Sequence, residues 1–162
     1  ALSLQFCAHM AAVHKILTDF YEDSFTLLAL HSSLEDYAMV YALNLCLKSN
    51  FKRTSKDLEL FEQVSFPIFE WKDAKNDRFL TLITNNSTKE ETNLKGDLFE
   101  NELSYARFQV VPEYKDADYL LKIEHDDNLE ESFVKSLMNI PKVVTVYAID
   151  IEKIKSRTNL IF

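Results

Sequence analysis

The sequence predicts an α+β domain in which two main helices pack on a largely antiparallel sheet of about six to seven strands. Apolar residues recur at helical spacing over about 33–48 and 129–139, whereas the other apolar segments are short and rich in β-branched and aromatic residues. Helices and strands do not alternate along the chain, so a doubly wound parallel sheet is not expected. The 162 residues fit one domain that can bury a core.

Composition excludes several classes of function. The net charge of −8 disfavours binding to nucleic acid or to anionic membranes, and no apolar run is long enough to span a bilayer. Gly96 is the only glycine, so the chain has no glycine-rich phosphate loop and no nucleophile elbow. The two cysteines, Cys7 and Cys46, are too few for a secreted disulfide framework. We therefore expect a cytoplasmic protein without a cofactor.

The N-terminal part predicts a short extension, a hairpin and then a helix. Residues 1–9 are expected to be an upstream extension or a cloning remnant, which leaves 10–162 as a single globular domain. The segments 15–21 and 25–30 are typical of paired strands. Ser33 begins a sequence similar to a capping box, and the helix that follows is apolar almost all round. Such a helix is expected to be buried on more than one side or to face a partner.

The middle of the chain predicts three strands and a long loop. The strands are expected at 58–61, 64–71 and 78–84, with a polar turn between the last two. Residues 85–104 carry two basic and five acidic side chains and few apolar ones, so we expect a mobile acidic loop there. Near the C-terminus, the apolar run 143–149 predicts a central strand that is buried on both faces.

A strand, a turn and a second strand are predicted over residues 108–123. The apolar run 108–111 meets Pro112, a short charged segment follows, and a second apolar run covers 119–123. Within this stretch, Val111-Pro112-Glu113, three further residues and Ala117-Asp118-Tyr119 resemble the I-P-E-x-x-x-V-D-Y signature of the IPExxxVDY family, small bacterial proteins named for this motif. Valine replaces isoleucine and alanine replaces valine, and both positions stay apolar.

The resemblance extends from about Val13 to the C-terminus and includes Leu34-Glu35-Asp36-Tyr37 and Ser65–Trp71. It implies a shared fold and a bacterial origin. It implies no activity, ligand or catalytic residue.

Two groups of side chains are candidates for chemistry. Glu113 and Asp118 flank the predicted turn, where they are expected either to pair as catalytic carboxylates or to accept backbone N–H groups that fix the turn. His31 follows a predicted strand, and Glu35 and Asp36 begin the next helix, so the three form half of a metal site or simply complement the helix dipole. His125 with Asp126 and Asp127 is a weaker third combination.

Taken together, the composition and the apolar helix favour a non-catalytic domain that acts by protein–protein interaction or self-association. Its partner would be an unknown protein or a second copy of the chain, and neither nucleic acid nor membrane is expected. The alternative is a small metal-binding or carboxylate-dependent hydrolase that uses the region of His31, Glu35 and Asp36 together with Glu113 and Asp118. No catalytic residue or metal ligand is assigned, and Pro112, Glu113, Asp118 and Tyr119 are expected to form a structural turn.

Overall fold

One antiparallel sheet of six strands forms the centre of the domain. The computed structural model describes residues 25–92, 103–125 and 129–162. In chain order the main elements are β1 (Phe25–Ser32), α1 (Asp36–Leu47), β2 (Lys52–Arg53), β3 (Leu58–Phe61), β4 (Val64–Phe66), β5 (Ile68–Asp73), β6 (Arg78–Thr84), β7 (Asn86–Thr92), β8 (Leu103–Gln109), β9 (Tyr119–Glu124), α2 (Glu131–Met138) and β10 (Val143–Ile149).

The strand order in the main sheet is β10-β1-β9-β6-β5-β2, and every neighbouring pair is antiparallel. The two short pairs β3–β4 and β7–β8 lie outside it. The predicted α+β class with two main helices is therefore confirmed.

Each face of the main sheet buries its own core because side chains alternate along a strand. On β1, Leu28 and Leu30 face the helices, whereas Leu27 and Ala29 belong to the opposite core. Both helices pack on the same face. The opposite face is covered by β3 and β4, by residues 110–117 and by the C-terminal segment 151–160, which forms two 3₁₀ helices.

The strand that follows the motif is central to the sheet. β9 pairs with β1 on one side and β6 on the other, so Leu121 lies opposite both Leu28 and Leu82. All three side chains are fully buried. The motif therefore leads directly into the most enclosed strand.

The first helix begins later and is less buried than the sequence suggests. Glu35 is the residue before α1 and makes no side-chain capping bond, so the capping box expected at Ser33 does not form. Met39, Val40 and Leu43 are the buried residues of α1. Among the described residues, only the face of α1 that packs on the sheet is covered, so burial on a second side or contact with a partner stays a prediction.

In the described sheet, the apolar run 143–149 is an edge strand and not the expected central one. β10 is the outermost strand there, and only Val146 and Ile149 in it are buried. An apolar run indicates that a strand lies against a core. It does not indicate whether the strand pairs with one neighbouring strand or with two.

The region expected to be a mobile loop contains two strands. β7 and β8 pair in register from Asn86 with Gln109 to Thr92 with Leu103, while residues 93–102 lie outside the described ranges. No residue from Asn86 to Glu90 is buried. A segment without buried residues shows no apolar alternation, so hydrophobic periodicity did not indicate this strand. The expected strand 15–21 and the extension 1–9 also lie outside the described residues.

Neither α1 nor α2 has the length and hydropathy that a membrane-spanning helix needs, and the described ranges contain no other helix that has them.

Candidate functional site

A buried asparagine organises the motif segment. The Asn85 side-chain amide donates to the carbonyl oxygens of Tyr114 at 3.0 Å and Ala117 at 2.9 Å, and its oxygen accepts the N–H of Val111 at 3.0 Å. Asn85 is fully buried. An amide side chain has two N–H donors and one acceptor oxygen, and all three are used here. The path of residues 111–117 is therefore set by one side chain outside the motif.

The backbone of Asn85 completes this arrangement. Its N–H donates to the carbonyl of Asp118 at 3.0 Å, and its carbonyl accepts the N–H of Val110 at 3.0 Å. Both ends of the motif segment thus bond to one residue at the end of β6. Sequence reasoning missed Asn85 because it treated this position as the start of a loop. The available signal was an asparagine directly after an apolar strand.

Asp118 joins the motif to the end of β1. Its Oδ2 accepts the backbone N–H of Ser32 at 2.9 Å, and its own N–H donates to the carbonyl of Leu30 at 3.0 Å. The β1–β10 register shifts between His31 and Ser32. On the other side of β1, Asp118 therefore continues the bonding beyond the last β1–β9 pair, Leu30 with Tyr119.

Glu113 joins the motif to the C-terminal segment. Its carboxylate accepts the N–H groups of Lys155 at 2.7 Å and Ser156 at 3.0 Å, and the Ser156 hydroxyl at 2.7 Å. Burial raises the pKa of the Glu113 carboxyl, but the bonds from Ser156 and Lys155 outweigh it and hold the pKa below its ordinary value. Glu113 and Asp118 both accept backbone N–H groups, as the structural-turn hypothesis expects. They hold different parts of the chain, so these contacts do not support paired-carboxylate chemistry.

Pro112 and Tyr119, the other two residues expected in the structural turn, have separate roles. Pro112 opens a 3₁₀ turn, Pro112–Tyr114, where its fixed φ suits the first helical position. The Tyr119 hydroxyl lies within hydrogen-bonding distance of the Leu34 carbonyl and, at 3.3 Å, of Asp36 Oδ1. Burial, and then the Asp36 carboxylate, raise the pKa of Tyr119. Tyr119 therefore fixes the start of α1 on the sheet.

The structure does not bring His31, Glu35 and Asp36 together. His31 Nε2 lies 3.1 Å from the hydroxyl of Tyr147, which packs in the core opposite the helices. Asp36 contacts Tyr119 in the core beneath the helices. The described ranges contain no group of three or more His, Cys, Asp or Glu side chains placed to hold a metal ion. Asp126 and Asp127 of the third combination lie outside the described residues.

An open cleft of about 650 Å³ lies between the end of α1, the β5–β6 turn and α2. Asp73, nearly buried, accepts bonds from the Asn76 side chain at 2.6 Å and from Arg78 at 2.9 Å. Burial raises the pKa of Asp73, but these bonds lower it more. The Arg78 guanidinium lies 4.7 Å from the centre of the Phe133 ring. These charges stabilise the turn and α2, so they are accounted for without a ligand.

The outer face of α1 carries three exposed large hydrophobic side chains. Tyr37, Tyr41 and Leu45 are exposed by 70%, 69% and 67%, and their spacing of four places them in one line along the helix. After Asp36, α1 contains no charged residue. We call this line the outer face of α1.

Cations lie beside the outer face of α1. Lys48 ends the helix, and the exposed Lys52 and Lys56 follow on the adjoining segment. Arg53 approaches the Tyr37 hydroxyl at 3.4 Å and pairs with Asp57 at 2.6 Å. A second open cleft, of about 790 Å³, is lined here by residues that include Tyr37, Lys56, Asp57 and Glu59. The surface therefore combines an apolar line with the cations Lys48, Lys52 and Lys56, and the two carboxylates lie on the far side of these cations in sequence.

We found no match to this chain among protein-family models, curated proteins or solved structures. The resemblance of residues 111–119 to the IPExxxVDY signature stays a prediction.

Proposed function

We propose that this protein is a non-catalytic interaction domain that binds a partner protein through the outer face of α1. The observation that carries the proposal is the exposure of Tyr37, Tyr41 and Leu45 in one line on a helix without outward charges. Soluble proteins rarely leave large apolar side chains together in water unless the patch has a use. Tyrosines are also frequent among the residues that dominate binding energy at interfaces.

The partner is a segment with an apolar face and acidic side chains. The apolar face would cover Tyr41 and Leu45, and the acidic groups would lie near Lys48 and Lys56. An amphipathic helix has this composition when its apolar residues recur every three or four positions. Opposite charges at the rim would increase the association rate and select against basic partners.

In this proposal the motif supports the binding surface without touching the partner. Tyr119 holds the start of α1 against the sheet through Leu34 and Asp36. Asp118 fixes the end of β1, the strand that precedes α1. A rigid helix loses less conformational entropy on binding than a mobile one, so this support favours affinity. We place the protein in the bacterial cytoplasm, where its exposed free thiol at Cys46 would stay reduced.

The test is affinity capture of the chain's partner from bacterial lysate, followed by binding measurements with the purified partner. The variant Tyr41→Gln/Leu45→Gln changes only exposed positions and keeps good helix formers. We expect it to weaken binding at least about tenfold, as the loss of two interface anchors does. Tyr105→Gln, at a tyrosine of β8 that is also exposed, is the matched control and should bind as the wild type does.

Two outcomes would contradict the proposal. One is a chain that captures no partner and remains monomeric. The other is a partner that binds the Tyr41→Gln/Leu45→Gln variant as tightly as it binds the wild type. Lys56→Glu should weaken binding further at low salt, because charge at the rim is screened by ions. The rival hydrolase proposal has no comparable support, since Glu113 and Asp118 accept structural hydrogen bonds.

A further inference from the structure

The cleft between the end of α1, the β5–β6 turn and α2 has the size of a small-molecule site. Its volume is about 650 Å³, and ligand sites in proteins are commonly clefts of roughly 300–1,000 Å³ that exist before the ligand binds. The turn that forms one wall is fixed, because the buried Asp73 accepts bonds from Asn76 and Arg78. These three side chains bond to one another, so the other lining residues must provide the contacts to a ligand.

Two lysines of the lining can face an anion. Lys48 lies at the end of α1 and Lys75 in the β5–β6 turn, and both are exposed. Within the described ranges, neither lysine forms a salt bridge. Among the described lining residues, Glu130 is the one carboxylate outside the Asp73–Arg78 ion pair. Two lysines and one glutamate leave an excess of one positive charge, in a chain whose net charge is −8. Such a local excess attracts anions to the cleft.

An aromatic side chain forms part of the same lining. Trp71 on β5 is partly exposed, and it is the only tryptophan of the chain. Its ring packs beside the ring of Phe51, with the two centres 5.6 Å apart, and this contact holds its orientation. A fixed and partly exposed ring offers a stacking partner to another flat ring. The cleft therefore combines a flat apolar surface with positive charge.

We propose that this cleft binds a small aromatic carboxylate, with the ring against Trp71 and the negative charge neutralised by Lys48 and Lys75. A carboxylate carries one charge, which matches the excess of one positive charge in the lining. A phosphate monoester carries nearly two charges at pH 7 and would leave a negative charge uncompensated. The inference goes beyond the proposed function. Because Lys48 also borders the outer face of α1, the tests change Lys75 and leave that face intact.

The first measurement is a titration of the full chain with phenylacetate at constant low ionic strength, followed by the fluorescence of Trp71. The chain has one tryptophan, so the signal comes from the wall of the cleft. We expect a saturable change with a dissociation constant of about 1–10 mM, as for a ligand of about ten non-hydrogen atoms.

Two related compounds separate the ring from the charge. Cyclohexylacetate has the charge without the aromatic ring, and phenylacetamide has the ring without the charge. Each should bind about fivefold more weakly than phenylacetate. Equal affinities for all three compounds, or no saturable change with phenylacetate, would overturn the inference.

A change at Lys75 tests the binding of the carboxylate. Lys75→Gln removes a charge at an exposed position of the turn, so the fold should be kept and phenylacetate should bind about threefold to fivefold more weakly. The affinity for phenylacetamide should stay the same, which a general distortion of the cleft would not give. Lys115→Gln, at an exposed lysine in the segment that covers the opposite face of the sheet, is the matched control and should bind as the wild type does. Equal affinity of Lys75→Gln and the wild type for phenylacetate would overturn the inference.

The thiol of Cys46 gives a second readout, because Cys46 is exposed and lines the same cleft. In a Cys7→Ser background it is the only thiol of the chain. Its alkylation by iodoacetamide should slow as phenylacetate fills the cleft, with the concentration dependence of the fluorescence change. A fluorescence change without protection of Cys46 would show that phenylacetate does not occupy the cleft, and it would overturn the inference.

Discussion

Glu113 and Ser156 are joined by two hydrogen bonds, one from the serine hydroxyl at 2.7 Å and one from its N–H at 3.0 Å. They are far apart in sequence, so these bonds close a large loop around the core opposite the helices. That core includes Ile154 and Leu160, the buried residues of the C-terminal segment. One exposed carboxylate therefore positions a segment that helps to cover one face of the sheet.

Removing the charge of Glu113 should reduce stability. Glu113→Gln keeps one acceptor oxygen but loses the charge-assisted bonds to Ser156 and Lys155. We expect a loss of about 1 kcal/mol, at the low end for charged hydrogen bonds because the site is open to solvent. Urea denaturation measures it, and Glu59→Gln at an exposed glutamate of β3 is the control. Equal stability of both variants would contradict the structural role of Glu113.

The stability that Glu113 contributes should depend on pH. The pKa of Glu113 is lowered by folding from an ordinary value of 4.5, so the folded state binds the proton less tightly than the unfolded state does. Its contribution is fully present above about pH 4.5 and is lost as the pH falls through the folded pKa. The stability difference between wild type and Glu113→Gln should therefore shrink on acidification. A difference that is constant from pH 7 to pH 3 would exclude this linkage.

Asn85 should be the most sensitive polar position in the motif region. Asn85→Asp keeps the size of the side chain but replaces two donors by a charged oxygen that faces the carbonyls of Tyr114 and Ala117. We expect a loss of about 3–5 kcal/mol, as for an unpaired charge in a buried site. Asn86→Asp is the control, since Asn86 is partly exposed and donates to the same Ala117 carbonyl at 3.2 Å. It should cost less than half as much by the same denaturation measurement.

Tyr119→Phe should loosen the start of α1 while leaving the sheet intact. The hydroxyl lost is the one that contacts the Leu34 carbonyl and Asp36. We expect a loss of about 1–2 kcal/mol, because the Leu34 carbonyl loses its buried donor. Hydrogen exchange at residues 36–40 should accelerate more than exchange in β9. The exposed Tyr105→Phe should change neither, and uniform acceleration across the domain would argue against a local role.

Lys122 is buried and forms an ion pair with Glu124. Its ammonium lies 2.7 Å from Glu124 and near the rings of Phe25 and Phe162, at 5.0 and 4.8 Å from their centres. Removing only the carboxylate, by Glu124→Gln, leaves a buried charge without its counter-ion and should cost about 2–3 kcal/mol. Lys122→Met removes the charge but keeps the length of the side chain, and should be nearly neutral. Thermal melts of the two variants give the comparison, and the opposite order would contradict this account.

The sequence predicted the class of the fold and most strands of the main sheet. Alternating or continuous apolar runs indicated β1, β5, β6, β9 and β10, because each contributes buried side chains to a core. The same reasoning failed for β7, in which the residues from Asn86 to Glu90 are polar and none is buried. It also misplaced β10, since neighbours in a sheet are set by pairing between distant segments, and one strand's composition does not encode them.

The motif could be identified from its residues, but the partners of its side chains could not be predicted. Asp118 and Glu113 were expected to accept backbone N–H groups, and both do. Their partners, Ser32 and Lys155, lie in distant parts of the chain, so spacing could not predict them. Asn85 escaped notice for the same reason, because its side chain acts on residues that follow it by more than twenty positions.

The two edges of the described sheet limit its growth in different ways. β2 is short and charged. β10 is longer, but its pairing with β1 skips Val144, and a bulge of this kind twists an edge away from regular pairing. A strand from another molecule therefore meets a charged edge on one side of the sheet and an irregular edge on the other.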